Sequence, residues 1–229
     1  MTKLGIIGGL GPEATSDYYF SIIKQYQQKV GSNKRLPELT IESIDMYHMF
    51  SLLDQKKYDQ VADYVAQAAN NLQSAGANFG VMCGNTPHIV FNEIQNRTTL
   101  PLLSMVQTSL DKAKEKGLKN LGLLGTKFTM QNDFFKEPFE KSGIHVWFPS
   151  LTEQSIIHQK IVDELENGIV KQETKNILLK IITNMIDKYN LDGIVLGCTE
   201  LPLILSQKEL FVYVLDISQI HIEAIVKKL

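Results

Sequence analysis

Two cysteines, Cys83 and Cys198, are the residues of this sequence best placed to do chemistry. Cys198 closes the apolar run Gly193-Ile194-Val195-Leu196-Gly197 and is followed by Thr199, Glu200, Leu201 and Pro202. A thiol that only fills a core could sit anywhere along such a run. One at its exit, beside a hydroxyl and a carboxylate and at a helix start, is expected to have its pKa lowered from about 8.5 and to exchange protons.

Cys83 opens the segment Cys83-Gly84-Asn85-Thr86-Pro87-His88. Gly84 suits close approach of backbone amides to an anion, and Asn85 and Thr86 can donate to a carboxylate. Matching Pro87 with Pro202 superposes the two cysteines, whereas matching Met82 with Leu196 puts Gly84 opposite Cys198. Side chains alternate faces along a strand, so core filling and catalysis both stay open for Cys83. His88, just inside the next helix, could orient a carboxylate or assist a thiol.

A third candidate is the turn Gly8-Gly9-Leu10-Gly11-Pro12-Glu13-Ala14. It formally matches a dinucleotide fingerprint, but the acidic residue expected about 20 positions on is missing near Val30 and Pro12 removes an amide. A structural turn, or a small-anion nest in which Leu10 meets a substrate carboxylate, fits better. No CxxC or HExxH spacing is present, so no metal is expected.

These residues need elements to hold them. Short β-branched runs alternate with amphipathic stretches throughout, the pattern of parallel strands linked by crossover helices. Strands are predicted at Leu4–Gly8, Leu39–Asp45, Phe79–Cys83, Pro101–Met105, Asn120–Gly125, Ile144–Phe148, Asp192–Gly197 and Phe211–Leu215. Ile177, Leu178, Ile181, Ile182, Met185, Ile186 and Tyr189 share one helical face. GIIGG near the start resembles LGLLGT at 121–126, and FGVMCGNTP at 79–87 resembles GIVLGCTELP at 193–202, which suggests a duplication. The expected fold is α/β, with two pseudo-symmetric domains of four parallel strands each, flanked by helices. The first domain would take 1–106 with 213–229, and the second 107–212. In open parallel sheets ligands bind beyond the carboxyl ends of strands, which puts the expected site in an interdomain cleft.

Composition narrows the partners. The 229 residues are 44% apolar, enough for a sizeable core, and 23 Lys+Arg face 25 Asp+Glu with no basic run to neutralise a phosphate backbone. Nucleic acid is not expected, nor is a membrane, because no apolar run approaches the roughly 18 residues of a span. Two cysteines and no export signal point to free thiols in a reducing cytoplasm.

At these residues the sequence resembles the aspartate/glutamate racemase family. The likeness covers essentially the whole chain: the opening G-I-I-G-G-L-G-P, Asn85-Thr86-x-His88, the L-G-T of 124–126, the 153–168 helix region, and Gly197-Cys198-Thr199-Glu200-x-Pro202. It implies two α/β domains, usually a homodimer, and racemisation of a small amino acid or dicarboxylate-type substrate without any cofactor. Two residues on opposite faces of the α-carbon, normally both cysteines, would remove and return the proton. Carried over, Cys198 is one such thiol, while Asn85, Thr86 and Thr199 match positions that hold the substrate's carboxylate and amino group. Where the family's first catalytic cysteine precedes Asn-Thr, this chain has Gly84, with Cys83 one residue earlier. A lone cysteine on the second half is also the pattern of related decarboxylases and isomerases, and a carboxylate-binding relative without chemistry would keep the same residues. For an acidic side chain the resemblance implies basic groups after the second strand, where Leu52, Leu53, Lys56 and Lys57 stand, and near the start of the 153–168 helix, where Ser155, Ile156 and Lys160 stand.

Overall fold

The computed structural model describes residues 2–229. The chain divides into two compact units, Met1–Thr108 with Ser218–Leu229, and Ser109–Ile217.

The first unit holds β1 (Leu4–Gly8), α1 (Pro12–Val30), β2 (Leu39–Ser43), α2 (Met46–Asp54), α3 (Tyr58–Ser74), β3 (Phe79–Met82) and α4 (Phe91–Asn96). Its parallel sheet has the order β2-β1-β3. β1 is buried along its whole length, as expected of a central parallel strand covered on both faces. Small residues on α3, among them Ala62, Ala66 and Ala69, let that helix lie close to the sheet.

The four-strand expectation for this unit is corrected to three. Segment 101–105 makes only a single bridge, Leu102 beside Gly80. Gly80 donates to the Pro101 carbonyl and accepts from the Leu103 amide, both at 2.9 Å. Pro101 has no amide to extend the ladder, the Leu102 amide goes to Gln95 Oε1 at 2.8 Å, and by Met105 the chain has entered α5 (Met105–Glu115).

The second unit continues with β4 (Asn120–Leu124), α6 (Lys127–Gln131), α7 (Asp133–Glu140), β5 (His145–Trp147), α8 (Leu151–Asp163), α9 (Gln172–Tyr189), β6 (Gly193–Leu196) and β7 (Tyr213–Asp216). All four strands are parallel, in the order β5-β4-β6-β7. Leu178, Ile181, Ile182 and Met185 of α9 are buried, as its 3.6-residue periodicity requires.

The chain returns to the first unit at Ser218, not at 213, because Tyr213–Asp216 pair with Gly193–Leu196 of β6 and belong to the second sheet. The returning helix α10 (Ile217–Lys228) is tied down by Lys29 of α1, whose ammonium donates to the Val226 and Lys227 carbonyls at 2.9 and 3.3 Å. These are carbonyls that a helix end leaves without intrahelical partners.

Candidate active site

In the first unit the turn after β1 packs against the turn after β3. Gly9 has φ +74°, and a Cβ there would lie 2.1 Å from the Ile44 carbonyl oxygen, so only glycine fits. The Gly9 amide donates to Thr15 Oγ1 at 2.9 Å, and that hydroxyl donates to the Gly11 carbonyl at 2.8 Å. The turn is therefore partly satisfied from within. Leu10 is half-buried against Gly84: a Cβ on Gly84 would meet the Leu10 carbonyl oxygen at 2.9 Å and Leu10 Cβ at 3.0 Å. Two predicted site residues thus touch.

Cys83, just past β3, is fully buried, and its amide donates to the Ile7 carbonyl at 3.1 Å. Burial raises its pKa, with Asp17 adding to the rise and a hydrogen bond with Thr15 opposing it. Asn85 is buried and Thr86 half-buried at the same exit.

Both ring nitrogens of His88 are engaged by the backbone. Its Nε2 accepts from the Met105 amide at 3.1 Å, so Nδ1 carries the proton and donates to the Asn85 carbonyl, also at 3.1 Å. Burial lowers its pKa to about 4 against the raising effect of its backbone bonds, so the ring stays neutral at pH 7. It stacks on Phe91 with ring centroids 5.4 Å apart. This is a clamp that fixes the carbonyl of the Asn85 turn.

His221, which no sequence pattern singled out, is a second such clamp. Its ring bridges the Tyr18 hydroxyl and the Leu103 carbonyl, both at 3.0 Å. Burial, then the nearby His88, lowers its pKa to about 3.

In the second unit β6 ends at Leu196, and the Gly197 amide donates to the Leu124 carbonyl of β4 at 2.7 Å. A Cβ on Gly197 would lie 2.9 Å from that carbonyl oxygen, so the close crossing needs glycine. Cys198 follows, half-buried and free, with Thr199 and Glu200 half-buried beside it. Its thiol donates to Glu200 Oε2 at 2.8 Å.

The expected lowering of the Cys198 pKa is corrected. Burial raises it well above the ordinary value, the Glu200 charge and hydrogen bond raise it further, a backbone hydrogen bond opposes this, and Glu166 adds to the rise. The element after it is a three-residue 3-10 turn, Leu201–Leu203, too short to oppose a carboxylate in contact.

The free thiol thus stands at a strand exit of a parallel α/β frame with a carboxylate as its hydrogen-bond partner. No group of three or more His, Cys, Asp or Glu suited to a metal occurs among the described residues. The family model described as Asp/Glu/Hydantoin racemase matches residues 7–225, and the chain belongs to that family. A candidate Asp/Glu racemase from Yersinia pestis superposes with a TM-score of 0.93 at 30% identity, covering 100% of this chain and 99% of that one. An aspartate racemase homologue from Pyrococcus horikoshii gives 0.88 at 31% identity over 100% and 99% of the two chains. The broad specificity amino-acid racemase RacX of Bacillus subtilis is 22% identical over 94% of this chain and 92% of its own.

Proposed function

We propose that this protein racemises a free amino acid without a cofactor, with Cys198 as the thiol that gives and takes the α-proton on one face. The observation that carries this reading is the half-buried Cys198 thiol hydrogen-bonded to Glu200 at 2.8 Å in a chain of a racemase family. The raised pKa suits this role, because a thiol held protonated is ready to donate to a carbanion, and its thiolate, once formed, is a stronger base. In the removal direction the thiol proton passes to Glu200, and the thiolate then takes the α-proton. The Cα–H bond breaks, an S–H bond forms, and the electron pair delocalises into the substrate carboxylate. In the first unit Asn85 and Thr86, and in the second Thr199, are the polar side chains suited to a carboxylate or an amino group; Leu10 and Gly84 shape the floor of the first turn.

On the opposite face the buried Cys83 acts as core, so the proton moves through water or the Thr86 hydroxyl. The catalyst works in a reducing cytoplasm, where both thiols stay free, as a homodimer. A one-thiol decarboxylase or isomerase is the second reading, favoured by Gly84 and the burial of Cys83. Proton NMR of a panel of amino acids in deuterium oxide separates these. Loss of the α-proton signal with appearance of the mirror-image amino acid is expected. Carbon dioxide release from a substituted malonate with no α-exchange from any amino acid would overturn the racemase reading.

A further inference from the structure

We propose that the outer edge of β2 pairs antiparallel with β2 of a second copy of this chain, across a twofold axis at Ile41. The proposal rests on the homodimer reading above and gives it a surface; it uses nothing of the chemistry at Cys198.

A sheet edge presents amides and carbonyls with no neighbour, and it is a template for another strand unless something covers it. The edge strands of the two sheets are β2, β3, β5 and β7. At β3, Gly80 bonds with Pro101 and Leu103, both at 2.9 Å. At β5, the outward Val146 amide donates to Glu140 Oε1 at 3.1 Å. At β7, the Gln207 side chain accepts from the Val214 amide and donates to the Val212 carbonyl, each at 2.9 Å. These three edges are met from within the chain.

β2 is the exception. The Leu4 amide donates to the Glu38 carbonyl and the Ile44 amide to the Gly8 carbonyl, both at 3.0 Å. Glu38, Thr40, Glu42 and Ile44 therefore turn their backbone groups to β1, and alternation turns those of Leu39, Ile41 and Ser43 outward. None of these outward amides and carbonyls has a hydrogen-bond partner among the described residues. The strand Leu39-Thr40-Ile41-Glu42-Ser43 also lacks the lysine, proline or bulge that guards a free edge, and Ile41 is 37% exposed.

A second copy fits because the edge is self-complementary. An antiparallel pair centred on Ile41 sets Leu39 opposite Ser43 of the second copy, so all the outward groups bond at once. Ile41 then lies opposite Ile41 of the second copy, on the face covered by α1, since a Cβ on Gly8 would lie 3.1 Å from Ile41 Cγ2 and 2.6 Å from Thr15 Cγ2. Glu42 falls opposite Thr40, so like charges do not meet.

A strand pair alone is marginal, and the flanks add to it. Leu36 before the strand is 62% exposed and Tyr47 after it 73%. The same axis brings the Leu36 end of each copy to the Tyr47 end of the other. Arg35, exposed and in no ion pair among the described residues, comes opposite Tyr47 and beside the exposed Asp45 of the second copy. Charge and apolar surface are thus both complementary across the axis.

The test uses the full-length protein in sedimentation velocity and thiol cross-linking. Wild type should sediment as a dimer. Ile41→Lys sets two ammonium groups face to face and should weaken that dimer at least about tenfold, with circular dichroism unchanged. In a Cys198→Ala background, mild oxidation should join Ile41→Cys into a covalent dimer, because opposite residues of a hydrogen-bonded pair lie about 5.5 Å apart, within disulfide reach. Leu39→Cys, about 13 Å along the strand from its counterpart in this register, should stay unlinked. A wild-type dimer that Ile41→Lys leaves intact, or linking of Leu39→Cys in preference to Ile41→Cys, would overturn the edge pairing and keep the homodimer. A monomeric wild type would overturn both. Absence of α-proton exchange from a wild-type dimer would refute the racemase reading without touching the edge pairing.

Discussion

Replacing Glu200 by Gln keeps the shape of the side chain and an acceptor for the Cys198 thiol 2.8 Å away, but removes the negative charge. Thiolate and carboxylate about 4 Å apart repel by about 1 kcal/mol in water-like surroundings and about 4 kcal/mol at an effective dielectric near 20. With Cys198 half-exposed, removing that repulsion should lower the thiol pKa. Burial and Glu166 remain, so the value should stay above that of a free cysteine. The assay is the pH dependence of iodoacetamide alkylation, with the Cys198 peptide quantified by mass spectrometry. Its rising limb should move to lower pH, while Cys83 stays unlabelled in its buried position. Racemisation should nevertheless fall by about 10²-fold or more, because the acceptor of the thiol proton is gone. A limb that stays put or moves to higher pH would refute the electrostatic account of Cys198. Full activity in the variant would refute Glu200 as proton acceptor.

Cys198→Ala should cost the roughly 10²–10⁴-fold typical of general acid–base catalysis, and Cys83→Ala far less; a Cys83→Ala enzyme equally inactive, with its circular dichroism intact, would make Cys83 a second catalytic thiol. His88 and His221 have folded-state pKa values lowered to about 4 and about 3, so the unfolded chain binds the protons first as pH falls below about 6.5. Stability should then drop by up to about 2.7 kcal/mol per pH unit between about pH 6 and pH 4, measured as urea midpoints; a flat profile there would contradict the neutral clamps. Both thiols are raised in the folded state, so their contribution is fully present below about pH 9 and is lost as pH rises beyond it, which alkaline urea titration reads directly. Gly9→Ala places a methyl 2.1 Å from the Ile44 carbonyl oxygen at φ +74° and should cost at least about 2 kcal/mol; a midpoint within error of the wild type would show that the turn yields.

The sequence by itself determined seven of the eight predicted strands, because apolar runs such as Gly193–Leu196 have no stable place except inside a covered parallel sheet. It also determined that Cys198 stands at a strand exit beside Glu200, since chain order fixes which residues follow a strand. Family membership was legible for the same reason: its motifs are local strings at those exits. Only the tertiary structure decided what the environment does to each group. Cys198 was expected to be acidified by a helix start, but burial and the rotamer of Glu200 hold the proton on sulfur. The two ring nitrogens of His88 meet the Asn85 and Met105 backbone, partners that local spacing does not reveal. Segment 101–105 had the composition of a strand, yet Pro101 and the side chain of Gln95 confine it to one bridge. Gln131 and Gln154 carry no motif at all; they meet because α6 packs on α8, and packing joins residues by the geometry of faces rather than by their order in the chain.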